Sequence, residues 1–213
     1  MERAFRLGIT GKMGSGKSTL SEIARKQGVR VLEADSIAKD VMNSDPEVKE
    51  KIISLFGPES FVSGNLNRPF LASKIFTDDA LRIQLEEIVH PATLKVFEDE
   101  FRKGKPSEII ALESAIFFQT GLDEIFDAVI LIDAKDEDVI RREEASGKFT
   151  KEDILARLAQ QHYKPEWKED ADLVVTNDVT EAEFIKRSEA LIALVKIVAI
   201  QDLPEKPLRS IIE

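Results

Sequence analysis

The stretch GITGKMGSGKST, residues 8–19, places four glycines in twelve positions and ends in Lys17, Ser18 and Thr19. That density of glycine weakens an ordinary strand or helix, so the segment is read by what it can hold. Gly11-Lys12-Met13-Gly14-Ser15-Gly16-Lys17-Ser18 matches the pattern G-x-x-x-x-G-K-[ST]. Its glycines let successive backbone N–H groups turn inward and form an anion nest. A helix starting directly after it adds the positive end of its dipole. Lys17 is then expected to reach the β- and γ-phosphates of a nucleoside triphosphate, and the Ser18 hydroxyl to ligate magnesium. The flanks agree. FRLGIT (5–10) reads as a short buried strand. KSTLSEIARKQG (17–28) reads as a helix with Leu20, Ile23, Ala24 and Gln27 on one face, stopped by Gly28. A glycine-rich turn that binds nothing is the alternative, and the strand–loop–helix context speaks against it.

Beyond the loop, VRVLEAD (29–35) reads as a second strand and SIAKDVM (36–42) as a helix with Asp35 or Ser36 as its cap. Residues from about 46 to 104 read mostly as helix, with Val48, Ile52 and Leu55 at helical spacing and a turn at SGNL (63–66). EIIALES (108–114) and DAVILIDA (127–134) are compact apolar runs suited to buried parallel strands. Residues 137–161 are polar and helical, broken at Gly147. ADLVVTN (171–177) is a fifth strand. Residues 181–199 form a closing helix with Phe184, Ser188, Leu191, Val195 and Val198 inward. The tail from Gln201 is expected to be loosely ordered. Strands separated by helices argue for a doubly wound α/β fold. The stretch 46–104 is expected to be an insertion, and 137–161 an excursion over the strand ends where such folds bind ligands.

The 213 residues fit one domain, and the absence of cysteine excludes disulfides and thiolate metal sites. No apolar run approaches the roughly 18 residues of a membrane span, and MERAFRLGIT does not read as a signal peptide. A cytoplasmic protein is expected. A net charge of −10 disfavours nucleic acid as a partner. A monomer is the working expectation.

A triphosphate loop serves two classes, small-molecule kinases and nucleotide-driven switches or motors. A guanine switch needs an N-K-x-D signature, and TNDV (176–179) does not match it. A motor ATPase shows an apolar strand ending in an acid, and EIIALE, ending in Glu113, keeps that class open. The arginine-bearing excursion at 137–161 favours a kinase whose lid closes to exclude water.

GITGKMGSGKST, EADSIAKDV (33–41), FGPESFVSGNLNRPFLASKIF (56–76), LEEIVHP (85–91), RLAQQ (157–161) and ADLVVTN together resemble the dephospho-CoA kinase family over essentially the full length. The loop alone is shared by many families. Its combination with E-A-D, N-L-N-R and H-P is far more specific. The resemblance implies a P-loop NTPase fold: a three-layer α/β/α domain with a five-stranded parallel sheet, a helical insertion for the acceptor substrate and a helical lid. The core would span about 1–45, 105–135 and 165–200, the insertion about 46–104 and the lid about 136–162. It implies transfer of phosphate from ATP, with Mg2+, to the ribose 3′-hydroxyl of dephospho-CoA.

The resemblance also assigns residues. Asp35, Lys17 and Arg142 would be catalytic. Gly11, Met13, Gly14, Ser15, Gly16, Lys17, Ser18, Thr19, Arg142 and Asn177 would hold ATP, with Ser18 on the metal. Asp35, Arg68 and His90 would hold the acceptor, Asp35 taking the hydroxyl proton. Plainer readings stand beside these: Asp35 as a helix cap, Arg68 as solvated surface, and His90-Pro91 as a helix end. Arg142 and Arg157 could make only surface salt bridges, Asn177 could shape a turn, and Trp167 reads as packing. The chain departs from the family pattern in several places. Glu33 stands where the family commonly has Asp. Ala115 to Gln119 replace P-L-L-F-E, leaving Glu113 as the nearby acid. Ser146 stands where a second lid arginine is usual, with Arg141 and Lys148 as neighbouring cations. Asp178-Val179 follow Asn177 in place of a glycine.

Overall fold

The computed structural model describes residues 3–76, 78–118, 125–161 and 163–200. Gln119 and the tail from Gln201 lie outside them. By internal contacts the chain divides into two compact units, residues 1–32 with 103–213, and residues 33–102.

The first unit is built on a five-stranded parallel sheet with helices on both sides. Strands β1 (Phe5–Gly11), β2 (Arg30–Glu33), β5 (Ile109–Glu113), β6 (Ala128–Asp133) and β7 (Leu173–Thr176) lie in the order β2-β5-β1-β6-β7. Both faces of such a sheet are covered, so its strands must be apolar throughout. Ile130, Leu131 and Ile132 are consecutive and all fully buried. The register fits large side chains beside small ones: Leu7 of β1 faces Ala111 on one side and Ala128 on the other.

One face packs on helices α1 (Lys17–Lys26) and α9 (Glu181–Ile200). Leu20, Ile23 and Ala24 of α1 share a cluster with Leu7, Ile9, Ile130 and Ile132 and with Phe184, Leu191, Val195 and Val198 of α9. The expected inward face of α9 is therefore the buried one, Ser188 included. Helix α1 stops at Lys26, so Gln27 leaves the expected helical face and becomes the cap residue. Gly28 at φ 87° turns the chain out of the helix. On the opposite face the Phe117 ring lies against Gly8, with Cζ only 2.5 Å from where a side chain would begin. There too Leu131 meets Trp167 and Ala171, with Tyr163 and Phe118 around them. Trp167 is thus a packing residue. Helices α6 (Asp136–Ala145) and α7 (Lys151–Gln160) follow β6 and are separated at Gly147, as expected; the short α8 (Trp167–Asp170) precedes β7. Thr150 and Asp153 form a reciprocal capping box that starts α7.

The second unit comprises α2 (Ala34–Ser44), α3 (Pro46–Phe56), a 3-10 turn at Pro58–Ser60, the hairpin β3 (Phe61–Val62) and β4 (Asn65–Leu66), α4 (Arg68–Ile75) and α5 (Asp79–Lys103). The expected insertion from about 46 falls within it, and α2 joins it as well. Its core is Val41, Val48, Ile52 and Leu71, with Ile37, Phe56, Phe61, Leu66, Leu85, Ile88 and Val96 packed around. Asp45 caps α3 by accepting from Glu47 N at 2.9 Å and Val48 N at 3.2 Å, with Pro46 in the first turn. The turn at SGNL is a tight hairpin. Ser63 and Gly64 both have positive φ, 51° and 83°, the condition for a two-residue turn whose twist matches its strands.

Two sequence expectations are corrected here. Neither Asp35 nor Ser36 caps α2. The helix starts at Ala34 directly from β2, Glu33 holds the cap position without a side-chain cap bond, and Asp35 lies in the first turn. Ser36 Oγ instead donates to Glu33 Oε2 at 3.0 Å. Nor does His90-Pro91 end a helix. Pro91 lies inside α5, which buries Val89, Thr93, Phe97 and Phe101 on either side of it. An interior proline costs about 3 kcal/mol, and burial of these flanking side chains outweighs it.

Candidate active site

The glycine loop leaves the C-terminal end of β1, the middle strand. From β1 the strand order runs one way to β5 and β2 and the other way to β6 and β7. Such a switch point opens a crevice beyond the strand ends. Gly11, Gly14 and Gly16 have φ of 146°, 65° and 112°. A side chain at Gly16 would also strike Asn177 Nδ2 at 2.7 Å and the Phe184 ring at 2.8 Å, so backbone and space both demand glycine.

A cavity of about 380 Å³ opens over the loop. Of the residues expected from the sequence, Gly14, Gly16, Lys17, Ser18, Thr19, Arg142 and Asn177 line it. Gly11 and Ser15 are buried, within the backbone turn. Glu143, Val179, Glu181 and Phe184 complete the wall. Phe184 was legible only as an inward helix residue, and the other three carried no signal beyond their nearness to Arg142 and Asn177.

Lys17 is half-buried, and its Nζ donates to the Lys12 carbonyl at 2.9 Å. The Ser15 N–H donates to the same carbonyl at 3.2 Å. Ser18 is exposed, and its Oγ donates at 3.2 Å to Glu113 Oε1 at the end of β5. Two hard oxygen donors therefore meet at the mouth of the loop.

Arg142 of α6 reaches the loop through Asn177. Its Nη2 donates to the Asn177 carbonyl at 2.9 Å and to Oδ1 at 3.2 Å, and Asn177 Nδ2 donates to the Ser15 carbonyl at 2.8 Å. Asn177 is only 6% exposed. Arg142 Nη1 is buried and has no hydrogen-bond partner among the described residues. A buried guanidinium N–H without an acceptor is costly, and an anion is the ligand that relieves it.

The two ends of the helical pair α6–α7 both hold the loop at Lys12-Met13. Asp136, at the start of α6, pairs with Lys12 Nζ at 2.6 Å, and Gln161, after α7, accepts from Met13 N at 3.0 Å. The Lys12 ammonium also lies 4.8 Å from the centre of the Tyr163 ring. Tyr163 donates to Asp133 Oδ1 at 3.2 Å, and Lys168 pairs with Asp133 Oδ2 at 2.6 Å. Burial first, then the Asp133 carboxylate, push the Tyr163 phenol well above its ordinary range. Gln161 was visible in RLAQQ, but nothing in the sequence tied it to Met13. Where a second lid arginine is usual, Ser146 closes α6 by donating from its hydroxyl to the Glu143 carbonyl at 2.7 Å. Its neighbour Arg141 pairs at 2.7 Å with Asp138 of the same helix. Arg157 stacks at 4.4 Å on Phe149.

The expected acceptor residues all belong to the second unit and stand on three helices. Asp35 is exposed in the first turn of α2, Arg68 is exposed as the first residue of α4, and His90 is half-buried midway along α5.

The family model for dephospho-CoA kinase (CoaE) matches residues 5–183. A dephospho-CoA kinase of Chlorobium luteolum is 36% identical over 182 residues, which cover 82% of this chain and 83% of the relative. Among solved structures, TT1252 from Thermus thermophilus aligns at a TM-score of 0.78 and 30% identity, covering 92% of this chain and 98% of that one. Dephospho-CoA kinase from Campylobacter jejuni aligns at 0.68 and 25% identity, covering 91% and 98%. The sheet order, the glycine loop and these likenesses agree: the chain belongs to the dephospho-CoA kinase family, ATP-using kinases that phosphorylate dephospho-CoA in the last step of coenzyme A biosynthesis.

Proposed function

We propose that the chain moves the γ-phosphoryl group of ATP to the ribose 3′-hydroxyl of dephospho-CoA, releasing ADP and CoA. One observation carries the reading: in a chain of this family, Lys17, Ser18 and Arg142 line a single cavity over the glycine loop. Phosphoryl transfer asks the protein mainly for positioning and charge stabilisation. Backbone N–H groups of the loop from Gly14 onward and the start of α1 cradle the β- and γ-phosphates. The Lys17 ammonium and Arg142 Nη1 oppose the charge that spreads over the equatorial oxygens. Asn177 holds Arg142 against the loop and borders the space for adenine.

The Ser18 hydroxyl and the Glu113 carboxylate suit Mg2+, which takes oxygen ligands from one or two side chains with the rest from phosphates and water. No group of three or more acidic or histidine residues that could cage a metal occurs among the described residues, consistent with an ion carried in with the nucleotide. When bound it neutralises phosphate charge.

Asp35 accepts the proton of the attacking 3′-hydroxyl while the new bond forms to phosphorus and ADP leaves. It stands in the first turn of α2. A loose transition state asks more for an oriented hydroxyl than for early proton removal. Arg68 offers a planar fork to a phosphate of the acceptor, and His90 a ring N–H or lone pair.

The test is ADP release from magnesium-ATP with dephospho-CoA, adenosine, AMP, shikimate, gluconate or no acceptor. Dephospho-CoA is expected to give a rate far above the others. An acceptor-free rate equal to the best acceptor rate would replace the kinase by an ATPase or switch.

A further inference from the structure

One peptide unit of the glycine loop, Lys12–Met13, is held on both edges. Its carbonyl accepts from Lys17 Nζ at 2.9 Å and from Ser15 N at 3.2 Å. Its N–H donates to Gln161 Oε1 at 3.0 Å. Gln161 is the residue that closes α7. The Lys12 side chain is pinned separately, to Asp136 at the start of α6. A peptide is planar, so turning its N–H away from Gln161 also turns its carbonyl away from Lys17. The Met13 N–H is already spent on Gln161 and is not the donor that a phosphate oxygen would meet first.

We propose that Gln161 is a positioning residue of the phosphoryl transfer: by fixing the Met13 N–H it fixes the carbonyl that aims the Lys17 ammonium. The end of the α6–α7 pair is thereby linked to the phosphate-binding lysine. A change in α7 that withdraws the Gln161 amide releases Lys17 from its aim, although Gln161 itself touches no phosphate. The inference rests on the reading of Lys17 as the lysine that meets the β- and γ-phosphates.

The test uses Gln161→Met, which keeps the length of the side chain and removes the strong acceptor. Loss of one such hydrogen bond is expected to lower kcat about tenfold. KM for dephospho-CoA should stay within about twofold, and circular dichroism should show the fold intact at the assay temperature. A double-mutant cycle then separates aim from mere structure. ATP affinity is measured by calorimetry for wild type, Gln161→Met, Lys17→Met and the double variant. Gln161→Met should weaken ATP binding about tenfold when Lys17 is present and by less than about twofold when it is Met. An equal loss in both backgrounds, or no loss of kcat and affinity in the single variant, overturns the proposal. If Lys17→Met binds ATP as well as wild type, the reading of Lys17 itself fails, and the proposal falls with it.

Discussion

The candidate residues of the two units are held on different terms. In the first unit they hold one another: Arg142 bonds Asn177, Asn177 bonds the Ser15 carbonyl, and Ser18 bonds Glu113. In the second unit Asp35 and Arg68 are exposed in the first turns of their helices. Groups that handle phosphate work by being fixed before the reaction, because reorganisation would consume their electrostatic advantage. On the proposed reading, each group that meets the acceptor acts through its own contact with it. Substitution in the first unit should therefore disturb chemistry through several linked groups, and substitution in the second should remove one function and leave stability alone.

The largest effect is expected at Lys17. Lys17→Ala should abolish measurable turnover, a loss of at least about 10³-fold, because it removes charge stabilisation from the transferring group. The fold should survive, since its bond to the Lys12 carbonyl contributes only about 1 kcal/mol. Circular dichroism and an ADP assay on one preparation decide, and turnover near wild type would remove Lys17 from the site.

Asp35→Asn comes next and tests the second unit's side of the contrast. General-base contributions are about 10²–10⁴-fold, and the loose transition state points to the lower end. Because Asp35 caps nothing, only its interaction with the helix dipole is lost, about 0.3–1 kcal/mol. Tm should fall by less than about 4 °C. Normal turnover with a lower Tm would make Asp35 a structural residue and direct the search for the base to Glu33 or Glu113.

Arg68→Ala should raise KM for dephospho-CoA about tenfold with kcat near wild type, the pattern of lost uniform binding. An unchanged KM would return Arg68 to plain surface.

What the sequence made legible follows the same division. A buried parallel strand must be apolar on both faces, so IIALE and AVILID announced themselves, and the spacing of Phe184, Ser188, Leu191, Val195 and Val198 marked the inner face of α9. The glycine loop was legible because its geometry needs glycine at fixed positions. The start of α2 was not. A preferred cap residue, Asp35, sits one position inside the helix, because β2 feeds α2 with no loop between them. Pro91 misled for a related reason: local preference ends a helix there, and burial of Val89, Thr93 and Phe97 carries it through. The bonds from Gln161 to Met13 and from Lys12 to Asp136 span more than a hundred residues, and no local pattern encodes them.

The smallest effect sharpens the picture of the first unit's network. Tyr163 is the chain's only tyrosine, so its phenol can be followed alone in the ultraviolet. Its folded pKa is raised by burial and by Asp133. As pH rises past the ordinary tyrosine value of 10.0, the unfolded chain gives up its phenolic proton first, and stability falls. Tyr163→Phe should lower stability at neutral pH by about 1 kcal/mol and lack this alkaline loss. A wild-type phenol titrating at its ordinary value would mean the Asp133–Tyr163 contact does not persist in solution.

The central claim, phosphoryl transfer to a ribose hydroxyl, is tested most directly by following the phosphate itself. With γ-labelled ATP and dephospho-CoA, the label should appear in CoA, and a 3′-nucleotidase should release it. Lys17→Ala and Asp35→Asn should each suppress the transfer. Label found only in inorganic phosphate, at the same rate with and without dephospho-CoA, would contradict it.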